Sequence, residues 1–321
     1  MRKLTKRYLM LGLTSMIVLP VCAFSEPDMA SLQASAKAGN INAAMKLAYL
    51  NTQQHRDLDA FHWYSVAAKS GDPNAISSLG LMYAMGRGVP RNTKKALSLI
   101  LPVAERGNKN AQYDMSMIYY NGYLGAPNYQ RAAYWLKKSA KQGKPQALFN
   151  LGQIYFFGHL GKPDRLKGIA LYTKAAYKGY TLAQYKLGGV YGAGPYYGLQ
   201  QNIPMAYTWS MISKINGYQP DHPEYVINHT HAFSAYPYCI AQGQSNIGVM
   251  YSRGLAGLPK DGAKAMSWMQ RANKTDPNFA GIQLNLAKFY YAGIGTNPMP
   301  KLALQYAQKA AKAPYGPAQQ Y

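Results

Sequence analysis

The sequence predicts an all-α solenoid of about seven stacked helix pairs, and three observations carry that prediction. Tyr83, Tyr119, Tyr155 and Tyr191 are spaced 36 residues apart, as are Gly86, Gly122, Gly158 and Gly194, and Ala75, Ala111, Ala147 and Ala183. Self-similarity at such a period marks units that stack on their neighbours. Within a unit, Ala75, Leu79 and Tyr83 recur every four residues and line one face of a helix. Strand-like alternation and long β-branched runs are missing throughout.

Each unit reads as an antiparallel helix pair. Asp72-Pro73 supplies a cap followed by proline at the first helical position, and Gly86 ends the helix where a left-handed residue is cheap. Gly80, beside Leu79, leaves a smooth spot for a neighbouring helix. A loop such as "GRGVPRN" leads to a second helix carrying Ala96 and Ala104, Ala132 and Ala140, or Ala170 and Ala176, which stops at Gly107, Gly143 or Gly179. Loop acids Asp164 and Asp261 fall where they would cap second helices. The register extends backwards through Ala43, Leu47 and Trp63. It extends forwards to Tyr251, which lies 60 beyond Tyr191, and then to Tyr290, 39 further on. Seven pairs result, the first degenerate, with the start of an eighth at "YGPAQQY". The column tyrosines are expected to be structural, with the ring in the helix interface and the hydroxyl at its edge.

The phrases "GNKNAQYDMSMIYYNG", "GKPQALFNLGQIYFFG" and "KGIALYTKAAYKG" resemble the Sel-one-like repeat family, a branch of the tetratricopeptide-like helical repeats, and the resemblance covers nearly the whole mature chain. It implies a right-handed α/α superhelix and a role as an interaction scaffold. For exported bacterial members it implies envelope assembly or contact with a host, hence a virulence association. It names no single partner, because fold does not fix function.

At the N-terminus, Arg2, Lys3, Lys6 and Arg7 precede an apolar run over residues 9–21 and a small-residue site at Val21-Cys22-Ala23. This pattern predicts a signal peptide over residues 1–23, cleaved after Ala23, and a periplasmic or secreted product spanning residues 24–321. The run is too short for a transmembrane helix, and no later stretch approaches the ~20 apolar residues one needs. Cleavage leaves 31 Lys and Arg against 12 Asp and Glu, a formal charge of +19. Such a field favours acidic partners. Export turns that expectation away from nucleic acid and towards acidic proteins or anionic envelope polymer. Cys239 is left as the one mature cysteine, so the fold must stand on its apolar core without an intrachain disulfide.

In tetratricopeptide-like stacking, the first helices line a concave surface. The inward positions lie nine, six and two before the column Tyr, and one and two after it. These positions nominate Asn110, Tyr113, Met117, Tyr120 and Asn121 from one unit, Gln146, Phe149, Gln153, Phe156 and Phe157 from the next, and Tyr185 from the one after. Rings and side-chain amides together suit an extended peptide, since rings supply area at low entropic cost and amides pair with a backbone. The expected function is therefore a non-enzymatic scaffold that binds a protein or peptide. The alternative is a basic binder of peptidoglycan or lipopolysaccharide that regulates a cell-wall enzyme.

An insert over about 218–239 interrupts the register. It holds Asp221, His222, Glu224, His229 and His231, but their spacing fits no zinc signature, so it reads as a packed or partner-contacting loop with no metal. Hydrolase, phosphate-loop and metalloprotease motifs are missing. "GQSNIG" at Gly243 places Ser245 in a helix register rather than at a nucleophile's strand-to-helix turn. No catalytic residue and no cofactor are expected.

Overall fold

The computed structural model describes residues 26–219 and 237–313, with side chains from Met29. The predicted signal segment, the five acidic and imidazole residues of the insert and the start of an eighth repeat lie outside them. Among the described residues there are fifteen α-helices and no strand. The chain divides into two compact units, the first ending at Asp164 and the second beginning at Arg165.

The first unit contains α1 (Glu26–Lys37), α2 (Ile41–Gln53), α3 (Asp57–Lys69), α4 (Pro73–Met85), α5 (Thr93–Glu105), α6 (Lys109–Asn121), α7 (Tyr129–Lys141) and α8 (Pro145–Phe157). The second contains α9 (Arg165–Tyr177), α10 (Thr181–Gly192), a 3-10 turn (Gly194–Tyr197), α11 (Ile203–Ile215), α12 (Pro237–Arg253), α13 (Gly262–Thr275), α14 (Ala280–Ala292) and α15 (Pro300–Lys312). From α2 onwards they make seven pairs in sequence, the predicted number, and the fourth pair straddles the division between units. The opening helix α1, which packs on α2, is an element the repeat columns do not announce.

In the six repeats after the first, the recurring phrase makes one shared hydrogen bond. Asn92, Asn128, Asp164, Asn202, Asp261 and Met299, each immediately before a second helix, donate their backbone N–H to the carbonyls of Tyr83, Tyr119, Tyr155, Tyr191, Tyr251 and Tyr290 at 2.8–3.0 Å. Asn92, Asn128, Asn202 and Asp261 also cap the helix that follows, accepting from Lys95, Arg131, Met205 and Lys264. The tyrosine rings are half-buried, and Tyr251 is buried. Tyr83 meets Phe61 edge to face at 5.5 Å, and Tyr290 stacks on Tyr306 at 5.4 Å. Their hydroxyls stay within reach of surface groups, as Arg131 donating to the Tyr119 hydroxyl at 3.3 Å shows.

The first helix α4 begins at Asp72-Pro73, where Asp72 accepts from Ala75 N at 2.7 Å, and α4, α6, α8 and α14 end at left-handed glycines such as Gly122, φ 68°, whereas α10 ends at Ala193, φ −98°, and the column glycine Gly194 opens a 3-10 turn instead. A Cβ on Gly122 would stand 2.6 Å from the Gly125 carbonyl oxygen, so the turn admits only glycine. Gly80 is where the partner helix approaches, since a Cβ there would run into the Ile100 side chain and lie 3.2 Å from Ala96 O. Between the helices sit Leu47, Ile100, Met115, Leu136, Ile154, Leu187 and Trp209, all fully buried. Such a side chain contributes about 1.5–3 kcal/mol each. One column falls elsewhere than read from the sequence: Ala170 is exposed, and Gly168, 36 beyond Ala132, takes the small buried place in α9.

Candidate functional site

Residues 110, 113, 117 and 121 on α6, and residues 146, 149, 153 and 157 on α8, follow helical i, i+3, i+7, i+11 spacing, so each set forms one stripe. Within the first unit, α4 packs on α6, and α5 and α7 flank the stack. Of the eleven nominated residues, Tyr113, Met117, Phe149 and Phe156 are buried at 4%, 5%, 2% and 1% exposure, so these side chains pack inside. Asn110, Tyr120, Asn121, Gln146 and Gln153 are half-buried, and Phe157 is 46% exposed. Tyr185 is half-buried on α10 of the second unit, where its ring lies 4.7 Å from that of Tyr218.

Behind the accessible residues of the first unit runs a polar network. Asn110 Nδ2 donates to Asn74 Oδ1 at 2.8 Å, and Lys144 Nζ donates to Asn110 Oδ1 at 2.7 Å. Ser77 Oγ donates to Asp114 Oδ2 at 2.6 Å, and Asn150 Nδ2 donates to the Tyr113 hydroxyl at 3.1 Å. Lys144 stands in the N-cap place that Asn108 and Asp72 hold one and two repeats earlier, yet it makes no side-chain cap. An ammonium is repelled by the positive end of the helix and cannot accept from its amides. Its chain turns inward instead and its ammonium sits 5.0 Å from the Tyr113 ring centroid. Burial pushes the Asp114 carboxyl up to about 6, against the Ser77 hydrogen bond and the charge of Lys144. Burial also brings Lys144 down to about 8, against the attraction of Asp114. The Ser77–Asp114 contact is thus enclosed and presents no nucleophile to a substrate.

The sequence reading passed over Ser77, Asp114, Lys144 and Asn150, although the signal was present. The position five before the column Tyr is polar in six repeats, as Ser78, Asp114, Asn150, Lys186, Asn246 and Asn285. In the structure this column bridges repeats. Asp114 receives Ser77, Asn150 reaches Tyr113, and in the second unit Asn285 reaches Ser245 Oγ at 3.0 Å and Asn246 reaches Thr208 Oγ1 at 3.2 Å.

At the C-terminal ends of α6 and α8 the rings gather. Tyr129 stacks on His159 at 4.3 Å and 17°, Tyr120 meets Tyr129 edge to face at 5.3 Å, and Phe157 lies 5.2 Å from Phe156 and 6.2 Å from His159. Burial lowers the His159 pKa and pushes Tyr120 up to about 12, so both rings are held neutral at physiological pH. An aromatic edge beside half-buried carboxamides can pack against side chains while hydrogen-bonding a main chain.

The Sel1 repeat family matches residues 56–72, 73–108, 109–144, 145–180, 181–210, 241–274 and 283–315. Four of these matches begin on the first residues of α4, α6, α8 and α10. Among solved structures, a protective antigen of uropathogenic Escherichia coli with an SLR fold is similar at 23% identity over 91% of this chain and 69% of that one, with a TM-score of 0.46. A Sel1 repeat protein from Oxalobacter formigenes is 25% identical over 92% of this chain and 90% of that one, with a TM-score of 0.42. An immunity protein of Pseudomonas aeruginosa is 23% identical over 56% and 75%, with a TM-score of 0.36.

Proposed function

The chain belongs to the Sel1 repeat family, whose members are generally scaffolds for protein–protein interaction, and from that premise we propose an exported, non-enzymatic scaffold that holds an acidic protein or peptide on the first-helix face of its first unit. The observation that carries the reading is the α8 stripe, where Gln146, Gln153 and Phe157 are accessible in a row next to the half-buried Asn110, Tyr120 and Asn121 of α6. Burial of Asp114 and Lys144 behind that face fixes its floor by hydrogen bonds, so the accessible groups are held before a ligand arrives. Tyr185 holds the repeat position equivalent to Tyr113 and Phe149 in the second unit and is half-buried there. Export is supported by the four cations, apolar run and small-residue site of residues 1–23, and attraction of acidic ligands by the formal charge of +19 left after cleavage. No described helix is long and apolar enough to cross a membrane.

The test is capture of bound protein from the native cell envelope by tagged mature chain, set against the same chain carrying Gln146→Ala, Gln153→Ala and Phe157→Ala. The reading expects a specific bound protein that the triple variant loses while its thermal melt stays within about 2 °C of wild type. Equal capture by both removes this face from the account.

A second reading, binding of anionic envelope polymer with regulation of a cell-wall enzyme, is favoured by the run of exposed Lys137, Lys138 and Lys141 on α7. It expects pelleting with purified sacculi that vanishes above roughly 0.3 M salt, where the screening length falls to about 6 Å. Retention that ignores salt counts against it.

A further inference from the structure

The last described helix pair, α14 and α15, exposes large apolar side chains at positions that inner pairs bury against the next repeat. In the first unit, Tyr113, six before its column Tyr, is 4% exposed beneath α8, and Ala133, fourteen after, is 2% exposed on α7 against α8. The corresponding Leu284 on α14 and Leu304 on α15 are 46% and 59% exposed. Tyr291, one after its column Tyr, is 72% exposed where Tyr120 is half-buried. Leu284, Lys288 and Tyr291 form one stripe at i, i+4, i+7. A stack normally ends in a polar face, as α1 does with exposed Ser31, Gln33 and Lys37, so the large exposed apolar side chains Leu284, Tyr291 and Leu304 on α14 and α15 mark a contact surface.

We propose that this end face of α14 and α15 docks an acidic amphipathic helix of a partner protein, laid in the place of an eighth repeat's first helix. Charge selects the occupant. Residues 277–313 contain four lysines and no Asp or Glu. Lys288, Lys301, Lys309 and Lys312 are all exposed. A second copy meeting this face with its own would bring like charges together, whereas a helix with Glu or Asp beside an Ala and Leu stripe satisfies both the apolar strip and its rim. Inner repeats meet the corresponding faces with such a stripe, Ala111 and Met115 in α6 or Ala147 and Leu151 in α8. The site is separate from the α8 stripe and stands or falls without it.

The probe is a synthetic helical peptide of about five turns with an Ala/Leu stripe flanked by Glu, compared with the same peptide flanked by Lys, titrated into the full mature chain by fluorescence anisotropy. The Glu-flanked peptide is expected to bind at least about tenfold tighter than the Lys-flanked one. Leu284→Ser with Tyr291→Ser, and separately Lys288→Glu with Lys301→Glu, are each expected to weaken it at least about tenfold. All four positions are exposed, so both variants should keep the wild-type melt, and Phe157→Ala should leave peptide binding unchanged. Equal affinity for the two peptides, no binding of either, or binding indifferent to the α14 changes overturns the proposal. Concentration-dependent self-association that Leu284→Ser with Tyr291→Ser abolishes also overturns it, by making a second copy the occupant.

Discussion

Asp114 and Lys144 are two charges taken out of water in one helical stack, and their titration should register in stability. Asp114 has a folded pKa of about 6, raised from 3.8, so its contribution is fully present below about pH 4 and is lost as pH rises through 6. Lys144 has a folded pKa of about 8, lowered from 10.5, so the unfolded chain holds more protons between those values and stability recovers as pH rises through them. Both ions are buried and charged between roughly pH 6 and 8. Asp114→Asn should therefore gain on wild type by roughly 1–3 kcal/mol as pH is raised from 4 to 6, measured as urea midpoints across pH. A difference that does not change with pH would contradict this. Phe156 and Phe157 are neighbours with opposite surroundings. Phe156→Ala should cost about 3–5 kcal/mol by leaving a cavity, and Phe157→Ala within about 0.5 kcal/mol, both read from the same denaturation series.

Among the helices, the connections are the most regular part of the molecule. The bond from the residue before each second helix after α3 to the column Tyr carbonyl uses only backbone, so its side chain is left for capping. Asn128→Ala should keep that bond and lose the cap on Arg131 N, costing about 1 kcal/mol in a thermal or urea melt. Gly122→Ala must adopt φ 68° and meet the Gly125 carbonyl, and should cost more than the cap does. Caps, terminal glycines and the count of pairs were legible because each is written in residue types that admit one local geometry. The floor of the site was less so. Asp114 and Lys144 look like surface residues in a linear reading, and their burial depends on the neighbouring repeat supplying Ser77 and Asn110. The same limit applies to Tyr113, Phe149 and Phe156, whose column positions say which helix face they occupy but not how closely the adjoining helices cover them. In α9, Gly168 fills the place assigned to Ala170 because glycine gives no apolar signal although it packs like alanine.

Taken as an assembly, the chain is an array of paired helices in two compact units, with a strong positive charge and an α8 stripe of accessible amides and rings. The lysines are carried mainly by second helices such as α7, away from the ladder of polar contacts between α4, α6 and α8. Under the proposed function that separation divides the labour: charge would draw a ligand in and the α6 and α8 stripes would hold it. Raising salt from about 0.05 to 0.3 M should then slow association several-fold while the dissociation rate changes little, as stopped-flow mixing would read. The most direct measurement is amide hydrogen exchange on the mature chain, free and with its captured partner. Slower exchange is predicted in α6 (Lys109–Asn121) and α8 (Pro145–Phe157), with α5 and α7 unchanged. Slowing confined to α5 and α7, with α6 and α8 exchanging as in the free chain, would contradict the account.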